Sequence, residues 1–245
     1  MMPEPKPAQI PPPALATPRS VARPRVGTSV VVFTLRPIEG SHPQLALLLV
    51  LRDRAAYRGR WALPGGWVHE GSSLTESARW QLLDKTGLEP DYLEQLYTFG
   101  RPDRDPREHR IAVTYFALVR WGEHQLRAGP GTSRVDWFDV DKIPVPLAFD
   151  NEEIIAYGLR RLRSKVDYAH LAFRFLQPEF TMAELRTVYE AVLGQKVDPP
   201  NFRRKVAASG TVVPTGARQR GVPHRPALLY RCSIAIDELL DAPPA

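Results

Sequence analysis

The sequence has little cysteine and no long apolar stretch. Its only cysteine, Cys232, excludes a disulfide framework and a cysteine-rich zinc site. No apolar run approaches the roughly 20 residues that a membrane-spanning helix needs. Both absences predict a soluble, cytoplasmic protein that has no membrane partner.

The N-terminus lacks apolar periodicity. Eight prolines fall within residues 1–25, and proline offers no backbone N–H to a helix or a sheet. We therefore expect residues 1–25 to form a disordered, proline-rich tail. This segment also lacks the apolar centre of a secretory signal, which argues against export.

Acidic residues are scarce in one segment of the chain. Residues 1–159 hold 19 Lys and Arg against 19 Asp and Glu, residues 160–231 hold 14 against 5, and residues 232–245 hold none against 3. The 245 residues, 43% of them apolar, are enough for two domains. A basic module beside a neutral one suggests a polyanionic partner, most simply nucleic acid, but acidic proteins and membranes also attract cations.

The neutral part is predicted to consist of strands with few helices. Three apolar, partly β-branched runs are bounded by glycine, proline or charge, at residues 28–35, 44–51 and 110–121. Between the last two, Leu74, Ala78 and Leu82 recur at the spacing of an amphipathic helix. The ends of that helix are marked by a capping box and a glycine stop, formed by Ser73, Glu76 and Gly87.

The segment WALPGGWVHEGSSLTESARWQLLDKTGL, residues 61–88, resembles the Nudix box. The usual form of that box is G, five residues, E, seven residues and then REUxEExGU, where U is aliphatic. Aligning Gly66 and Gly87 with its glycines places Leu82 and Leu88 at aliphatic positions. The resemblance implies an α/β (α+β) fold, the Nudix-like α/β/α sandwich with a mixed sheet.

The charged residues of that box are mostly replaced. Ser72 stands at the first glutamate, Trp80 and Gln81 at the Arg-Glu pair, and Asp84 and Lys85 at the final Glu-Glu pair. In the family, the second and fourth glutamates lie four residues apart on one helix face and hold the divalent ions that bridge a diphosphate. Here an amide and an ammonium replace them. We therefore expect no metal site, no catalytic residue and no enzyme activity.

A second segment, FGRPDRDPREHRIAVTYFALV at residues 99–119, resembles a loop and strand of ADP-ribose pyrophosphatases and of regulators derived from them. Arg104 and Arg107 of this loop suit phosphate or ribose contacts, because guanidinium groups match phosphate oxygens. A solvated turn is the alternative, since the acidic residues of the loop could neutralise both arginines. Arg60 and Trp61 complete the candidate ligand-binding residues.

Residues 146–166 are predicted to form the last helix of this domain, with Asp150 as its cap. The apolar side of the helix is formed by Ile154, Ile155, Leu159 and Leu162. The family often has the sequence Phe-Asp-His near the start of this helix, and in this chain Asn151 stands at the position of that histidine.

The basic module is predicted to contain three helices and a hairpin. Residues 168–177 form the first candidate helix, and the second starts with a capping box, Thr181 and Glu184, and stops at Gly194. The third helix has a cap, a proline at its first position and a glycine stop, which are Asp198, Pro199 and Gly210. The last two helices form a helix-turn-helix.

The third helix has the pattern of a DNA-reading helix. Phe202 and Val206 point inward at helical spacing, so Arg204 faces outward beside Asn201. The hairpin after it resembles a wing whose tip carries Arg218, Arg220, His224 and Arg225. Our candidate DNA-binding residues are Asn201, Arg203, Arg204, Lys205, Arg218, Arg220 and Arg225.

Residues 26–231 resemble the NrtR family, the bacterial Nudix-related transcriptional regulators of NAD metabolism. The resemblance implies a homodimer that represses NAD biosynthesis or salvage genes at palindromic operators, with ADP-ribose or a related nucleotide as effector and no required cofactor. An active Nudix pyrophosphatase and a non-catalytic protein-interaction module are the alternatives. We expect a Nudix-like ligand-sensing domain (residues 26–165), a C-terminal winged helix-turn-helix DNA-binding domain (166–235) and an acidic tail (236–245).

Overall fold

The computed structural model describes residues 23–54, 56–166, 171–220 and 226–233. The predicted acidic tail, most of the predicted proline-rich tail, and His224 and Arg225 of the wing lie outside these residues. Arg25, which we expected to end the proline-rich tail, instead begins the first strand. The first strand therefore starts within the predicted tail.

The N-terminal module is a sandwich of helix, sheet and helix. Its elements are β1 (Arg25–Arg36), β2 (Gln44–Arg52), β3 (Trp61–Ala62), β4 (Gly65–Trp67), α1 (Leu74–Thr86), β5 (Tyr92–Phe99), β6 (Arg110–Leu118), β7 (Thr132–Asp139) and α2 (Asn151–Lys165). All seven strands join one mixed sheet, in which β1 is parallel to β6 and antiparallel to β2 and β4. The predicted fold class is confirmed.

The central strand β1 shows why the sheet carries a helix on each face. Val30 and Val32 pack with α1, whereas Val31 and Phe33 belong to the core that contains α2. Successive side chains of a strand point to opposite faces, so the continuous apolar run at residues 30–33 fills both cores. Strands β5 and β7 were not predicted, because their charged and half-exposed residues interrupt the apolar pattern.

The ends of α1 are confirmed. Ser73 and Glu76 form the reciprocal capping box, and Gly87 ends the helix in a left-handed conformation with φ +72°. Ala78 and Leu82 are fully buried against the sheet. Leu74, which we expected beside them, is 37% exposed, because the helix turns its Ser77 and Gln81 side inward instead.

The apolar side of α2 is confirmed, but its predicted cap is wrong. Ile154, Ile155 and Leu162 are buried in the core. Asp150 makes no side-chain capping hydrogen bond, because its carboxylate accepts two hydrogen bonds from Arg104, at 2.8 and 2.6 Å. An ion pair with a distant arginine has replaced the local cap.

The C-terminal module has the layout of a winged helix. It comprises β8 (Phe180–Thr181), α3 (Met182–Leu193), α4 (Pro199–Ser209), β9 (Val212–Arg218) and β10 (Leu228–Cys232), with the strands paired in the order β8-β10-β9. The predicted caps of α3 and α4 are confirmed. In place of the helix predicted at residues 168–177, the described part of that segment is a short 3-10 helix, Leu171–Phe175.

The two modules share one hydrophobic core. Leu171, Leu185 and Phe202 of the C-terminal module belong to the same buried cluster as Ile154 of α2. Hydrogen bonds also join them, from Arg163 Nε to the Val192 carbonyl at 3.1 Å and from Arg120 Nε to the Leu176 carbonyl at 2.9 Å. Among the residues that the structure describes, no helix is both long and apolar enough to span a bilayer.

Candidate functional site

A cleft of about 390 Å³ lies along one face of α1, opposite the Gly65–Trp67 strand and the start of β6. Trp80, Gln81, Asp84 and Lys85 line it from the helix, because residues one turn apart share a face. Most of the residues that occupy the charged positions of the Nudix pattern therefore meet in this cleft, as the alignment of the motif predicts.

The charge of the cleft is strongly positive. Its described lining contains five cations, Arg52, Arg54, Lys85, Arg107 and Arg110, and one carboxylate, that of Asp84. The Lys85 ammonium donates to the Asp84 carboxylate at 2.6 Å, so this pair is nearly neutral. Arg107 is paired with Asp105, so three guanidinium groups, of Arg52, Arg54 and Arg110, remain without an ion pair among the described residues. The cleft is therefore suited to an anion with several oxygens.

Two of these arginines are held in place by surrounding aromatic rings and backbone oxygens. The Arg110 guanidinium lies 4.3 Å from the centre of the Trp67 ring and donates to the Gly66 carbonyl at 3.1 Å. Burial, and then the neighbouring charge of Arg104, lower the pKa of Arg110 to about 10. Burial and then Arg107 lower the pKa of Arg52 as well. Both side chains stay protonated near neutral pH, and an anion beside them would offset this unfavourable crowding.

The residues at the metal-binding positions of the motif do not suit a divalent cation. The Gln81 amide nitrogen donates to the Trp67 carbonyl at 3.0 Å and lies 3.2 Å from His69 Nε2. Lys85, the other residue of this pair, brings a positive charge into the cleft. Magnesium is usually held by carboxylates, and the described residues contain no group of three or more His, Cys, Asp and Glu that could hold a metal.

Two polar atoms of the cleft are buried without a hydrogen-bond partner, Gln81 Oε1 and Arg110 Nε. Buried polar atoms are nearly always paired, because an unpaired one costs about 1–3 kcal/mol. One of these atoms is an acceptor and the other is a donor. Both atoms are enclosed by the surrounding protein, with Gln81 Oε1 against Gly66, so neither faces the open part of the cleft.

Gly66 allows Gln81 to lie against the strand. A Cβ atom at this glycine would stand 2.1 Å from Gln81 Oε1, far inside van der Waals contact. A side chain at position 66 would therefore displace the Gln81 amide from its place beside the strand.

The predicted ligand-binding residues divide between the cleft and its surroundings. Arg107 lines the cleft, and Asp105 accepts hydrogen bonds from its Nε at 2.9 Å and its Nη2 at 2.7 Å. Arg104 is buried in its ion pair with Asp150, and both side chains are nearly inaccessible, at 3% and 4% exposure. Trp61 packs against Phe138, and Arg60 lies over Tyr57, so neither borders the cleft.

Sequence reasoning missed three cleft arginines, Arg52, Arg54 and Arg110. Arg52 ends β2 and Arg110 begins β6, so a charged residue at the end of an apolar strand was the available signal. The pattern could not show that these strand ends converge, because β1 lies between β2 and β6 in the sheet.

The second candidate site is the exposed face of α4. Phe202 and Val206 are buried beneath the helix, as predicted, and Asn201 and Arg204 are exposed. Arg204 donates to the Asn201 amide oxygen at 2.5 Å, so the two side chains stand together on the outer face. Arg203 and Lys205 flank them and are exposed too.

The hairpin of β9 and β10 lies beside α4 and supplies further cations. Arg218 and Arg220 are exposed, and Arg218 donates to the Pro226 carbonyl across the hairpin at 3.0 Å. The candidate Arg225 lies outside the described residues. The described DNA-binding candidates therefore come together on one helix and one hairpin of the same module.

Two families match the chain. The family described as NUDIX domain matches residues 25–158, and the family described as NrtR DNA-binding winged helix domain matches residues 172–232. Among curated proteins, the chain is 34% identical over 194 residues to the ADPR responsive transcriptional repressor NtrR of Acinetobacter baylyi, which covers 78% of this chain and 77% of that protein.

Solved structures resemble both modules together. Shewanella oneidensis NrtR complexed with a 27mer DNA matches with a TM-score of 0.72 and 33% identity, over 85% of this chain and 93% of that one. The NUDIX domain of the same protein complexed with ADP ribose matches with a TM-score of 0.51 and 33% identity, over 61% of this chain and 95% of that one.

Proposed function

The chain belongs to the NrtR family of Nudix-related transcriptional regulators, and from this membership we infer that it is an ADP-ribose-responsive transcriptional repressor. Its winged helix binds operator DNA, and its Nudix domain binds ADP-ribose or a related nucleotide. The observation that carries the sensing role is the cationic cleft on the Nudix motif.

The charges of the cleft support recognition of a diphosphate without a metal. In an active Nudix enzyme, divalent ions neutralise the diphosphate and acidic side chains hold those ions. Here Arg52, Arg107 and Arg110 offer their own positive charge to the phosphate oxygens.

We propose that the domain does not hydrolyse its ligand. Hydrolysis of a diphosphate by this fold depends on the metal ions that the motif holds, and Gln81 and Lys85 have replaced the carboxylates that hold them. The alternative function, a pyrophosphatase, requires a metal site that these two residues do not suit.

The exposed face of α4 supports reading of DNA bases. Arginine binds guanine edges with two hydrogen bonds and asparagine binds adenine edges, so Arg204 and Asn201 are our candidates for base contacts in the major groove. Arg203, Lys205 and the wing residues Arg218 and Arg220 are candidates for phosphate contacts.

We further propose a homodimer on a palindromic operator that controls NAD biosynthesis or salvage genes. Two reading helices related by a twofold axis would enter the major groove about one turn, or roughly 34 Å, apart. The selected site should then be a near-palindrome with half-sites about 10 base pairs apart, or a multiple of that spacing. A module that only contacts other proteins would select no such site.

Fluorescence anisotropy tests this function with a duplex that the protein selects from a random pool and a scrambled duplex of the same composition. We expect a clear preference for the selected duplex and its release by ADP-ribose in the presence of EDTA. Equal affinity for both duplexes would refute the repressor. A selected duplex that ADP-ribose never releases would refute the sensing role.

Two variants separate base contacts from phosphate contacts in the same assay. Arg204→Ala should weaken binding to the selected duplex by about 1–3 kcal/mol and hardly change binding to the scrambled one. Replacing Arg218 and Arg220 with alanine should weaken both, and each lost phosphate contact should reduce the slope of log affinity against log salt by roughly 0.9.

A further inference from the structure

A second hollow, of about 600 Å³, adjoins the cationic cleft. The two cavities share His69 and Trp80, so the Trp80 side chain forms the ridge between them. Trp80 is 48% exposed, and its ring lies edge-on to the His69 ring at 4.3 Å between centres. The ridge is therefore a large aromatic surface that is both accessible and supported.

The two cavities differ in charge. The described lining of the cleft holds four guanidinium groups, of which one, that of Arg107, is paired with a carboxylate, that of Asp105. The hollow contains two carboxylates, of Glu76 and Glu89, and its one guanidinium, that of Arg79, donates to the Pro90 carbonyl at 3.0 Å. A phosphate group is favoured in the cleft and disfavoured in the hollow, where an uncharged ring is acceptable.

The remaining walls of the hollow are apolar or neutral. Leu83 lies beside Trp80 on α1 and is 44% exposed, and Ser72 and Ser77 supply hydroxyl groups. A flat heterocycle gains most from this combination, because it stacks on an indole ring and forms hydrogen bonds at its edge. This composition is typical of small-ligand sites, which are largely apolar with a few polar groups.

We propose that the hollow is a nucleobase subsite, in which Trp80 stacks on the base of a nucleotide whose diphosphate occupies the cleft. The inference rests on the proposed function and extends it, because it assigns the ring of the ligand to a separate place. In the Nudix pattern this position belongs to the arginine of the box. Here the tryptophan gives that position a role in ligand recognition.

Calorimetric titration of the full chain tests the subsite with two probes, ADP-ribose and inorganic pyrophosphate, which has no base. Loss of one stacked base corresponds to about 1–3 kcal/mol, or roughly 5- to 150-fold in affinity. Trp80→Ala should therefore weaken ADP-ribose by at least about 5-fold and weaken pyrophosphate much less, since Trp80 borders the cleft without supplying charge to it. Trp80→Phe keeps an aromatic face and should recover most of the loss.

Trp121→Ala is the matched control. Trp121 is 40% exposed and lies against Trp137, away from both cavities, so its removal should change neither affinity. If Trp80→Ala binds ADP-ribose with unchanged affinity, the subsite is refuted and the diphosphate site in the cleft stands. If the variant loses affinity equally for both probes, the subsite is refuted as well. If the unaltered protein binds neither probe, the proposed function fails and the subsite fails with it.

Discussion

The buried ion pair between Arg104 and Asp150 should hold the ligand loop against α2. Two hydrogen bonds, at 2.6 and 2.8 Å, join side chains that are almost fully enclosed. Removing one partner leaves a buried charge unpaired, which typically costs about 3–5 kcal/mol. A domain is stable by only about 5–15 kcal/mol, so Arg104→Leu or Asp150→Leu alone should remove a large part of that stability.

The double variant distinguishes a structural pair from a ligand contact. Replacing both partners with leucine removes both charges, so its free energy of unfolding should exceed that of either single variant, and the two losses should not add. Urea unfolding followed by tryptophan fluorescence measures this, because all five tryptophans lie between residues 61 and 137. That fluorescence reports the N-terminal module alone.

Two results would refute this reasoning. If Arg104→Leu lowers the free energy of unfolding by less than about 1 kcal/mol, the pair is not buried in solution, because exposed ion pairs typically contribute no more than this. Losses that simply add in the double variant would show that the two side chains do not interact. If the double variant is stable but loses ADP-ribose affinity at least tenfold, the pair serves ligand binding, through Arg104 itself or through the position of the loop that carries Arg107.

Three further outcomes concern the Nudix motif, Asp105 and the cap of α4. Gln81→Glu together with Lys85→Glu restores the two carboxylates of the motif, and a calorimetric titration should then show Mn²⁺ binding, whereas the same titration of the unaltered protein should show none. Burial alone would raise the pKa of Asp105, but hydrogen bonds from Arg107 hold it below its ordinary value. The Asp105 carboxylate therefore contributes its full stabilisation above the unfolded pKa of about 3.9, and this contribution is lost as the pH falls through the lower folded pKa. Asp105→Asn should flatten the pH dependence of the free energy of unfolding in that acidic range. Asp198→Ala removes the side-chain cap of α4 and should destabilise the C-terminal module by about 1 kcal/mol, measured as loss of helical circular dichroism on heating.

Rules that use only residues close together in the sequence correctly predicted several helix ends and one strand. The capping boxes of α1 and α3, the proline and glycine limits of α4 and the strand core at residues 28–35 follow from neighbouring residues alone. Asp150 fails the same rule, since its partner Arg104 is 46 residues away and offers a stronger bond than the helix end. The spacing of residues along the chain does not show that a distant arginine binds the Asp150 carboxylate in place of the helix end.

The sequence predicted the helix residues that line the cleft but not the arginines that the strands contribute. The motif predicted that Gln81 and Lys85 would share a surface, because both lie on one helix. It could not predict that Arg52 and Arg110 would meet them, since the whole Nudix motif and β5 lie between their strands along the chain. Convergence of strand ends is a property of the sheet order, which the residues of a single strand do not specify.

Helix α2 connects the ligand loop of the N-terminal module to α3 of the C-terminal module through a hydrogen-bonded contact at each of its ends. Asp150 stands at its start and is bonded to the loop that carries Arg107, and Arg163 near its end is bonded to the last turn of α3. A helix of 15 residues is a stiff strut about 22 Å long. A displacement of the loop that tilts α2 would therefore be passed to α3 through the hydrogen bond of Arg163.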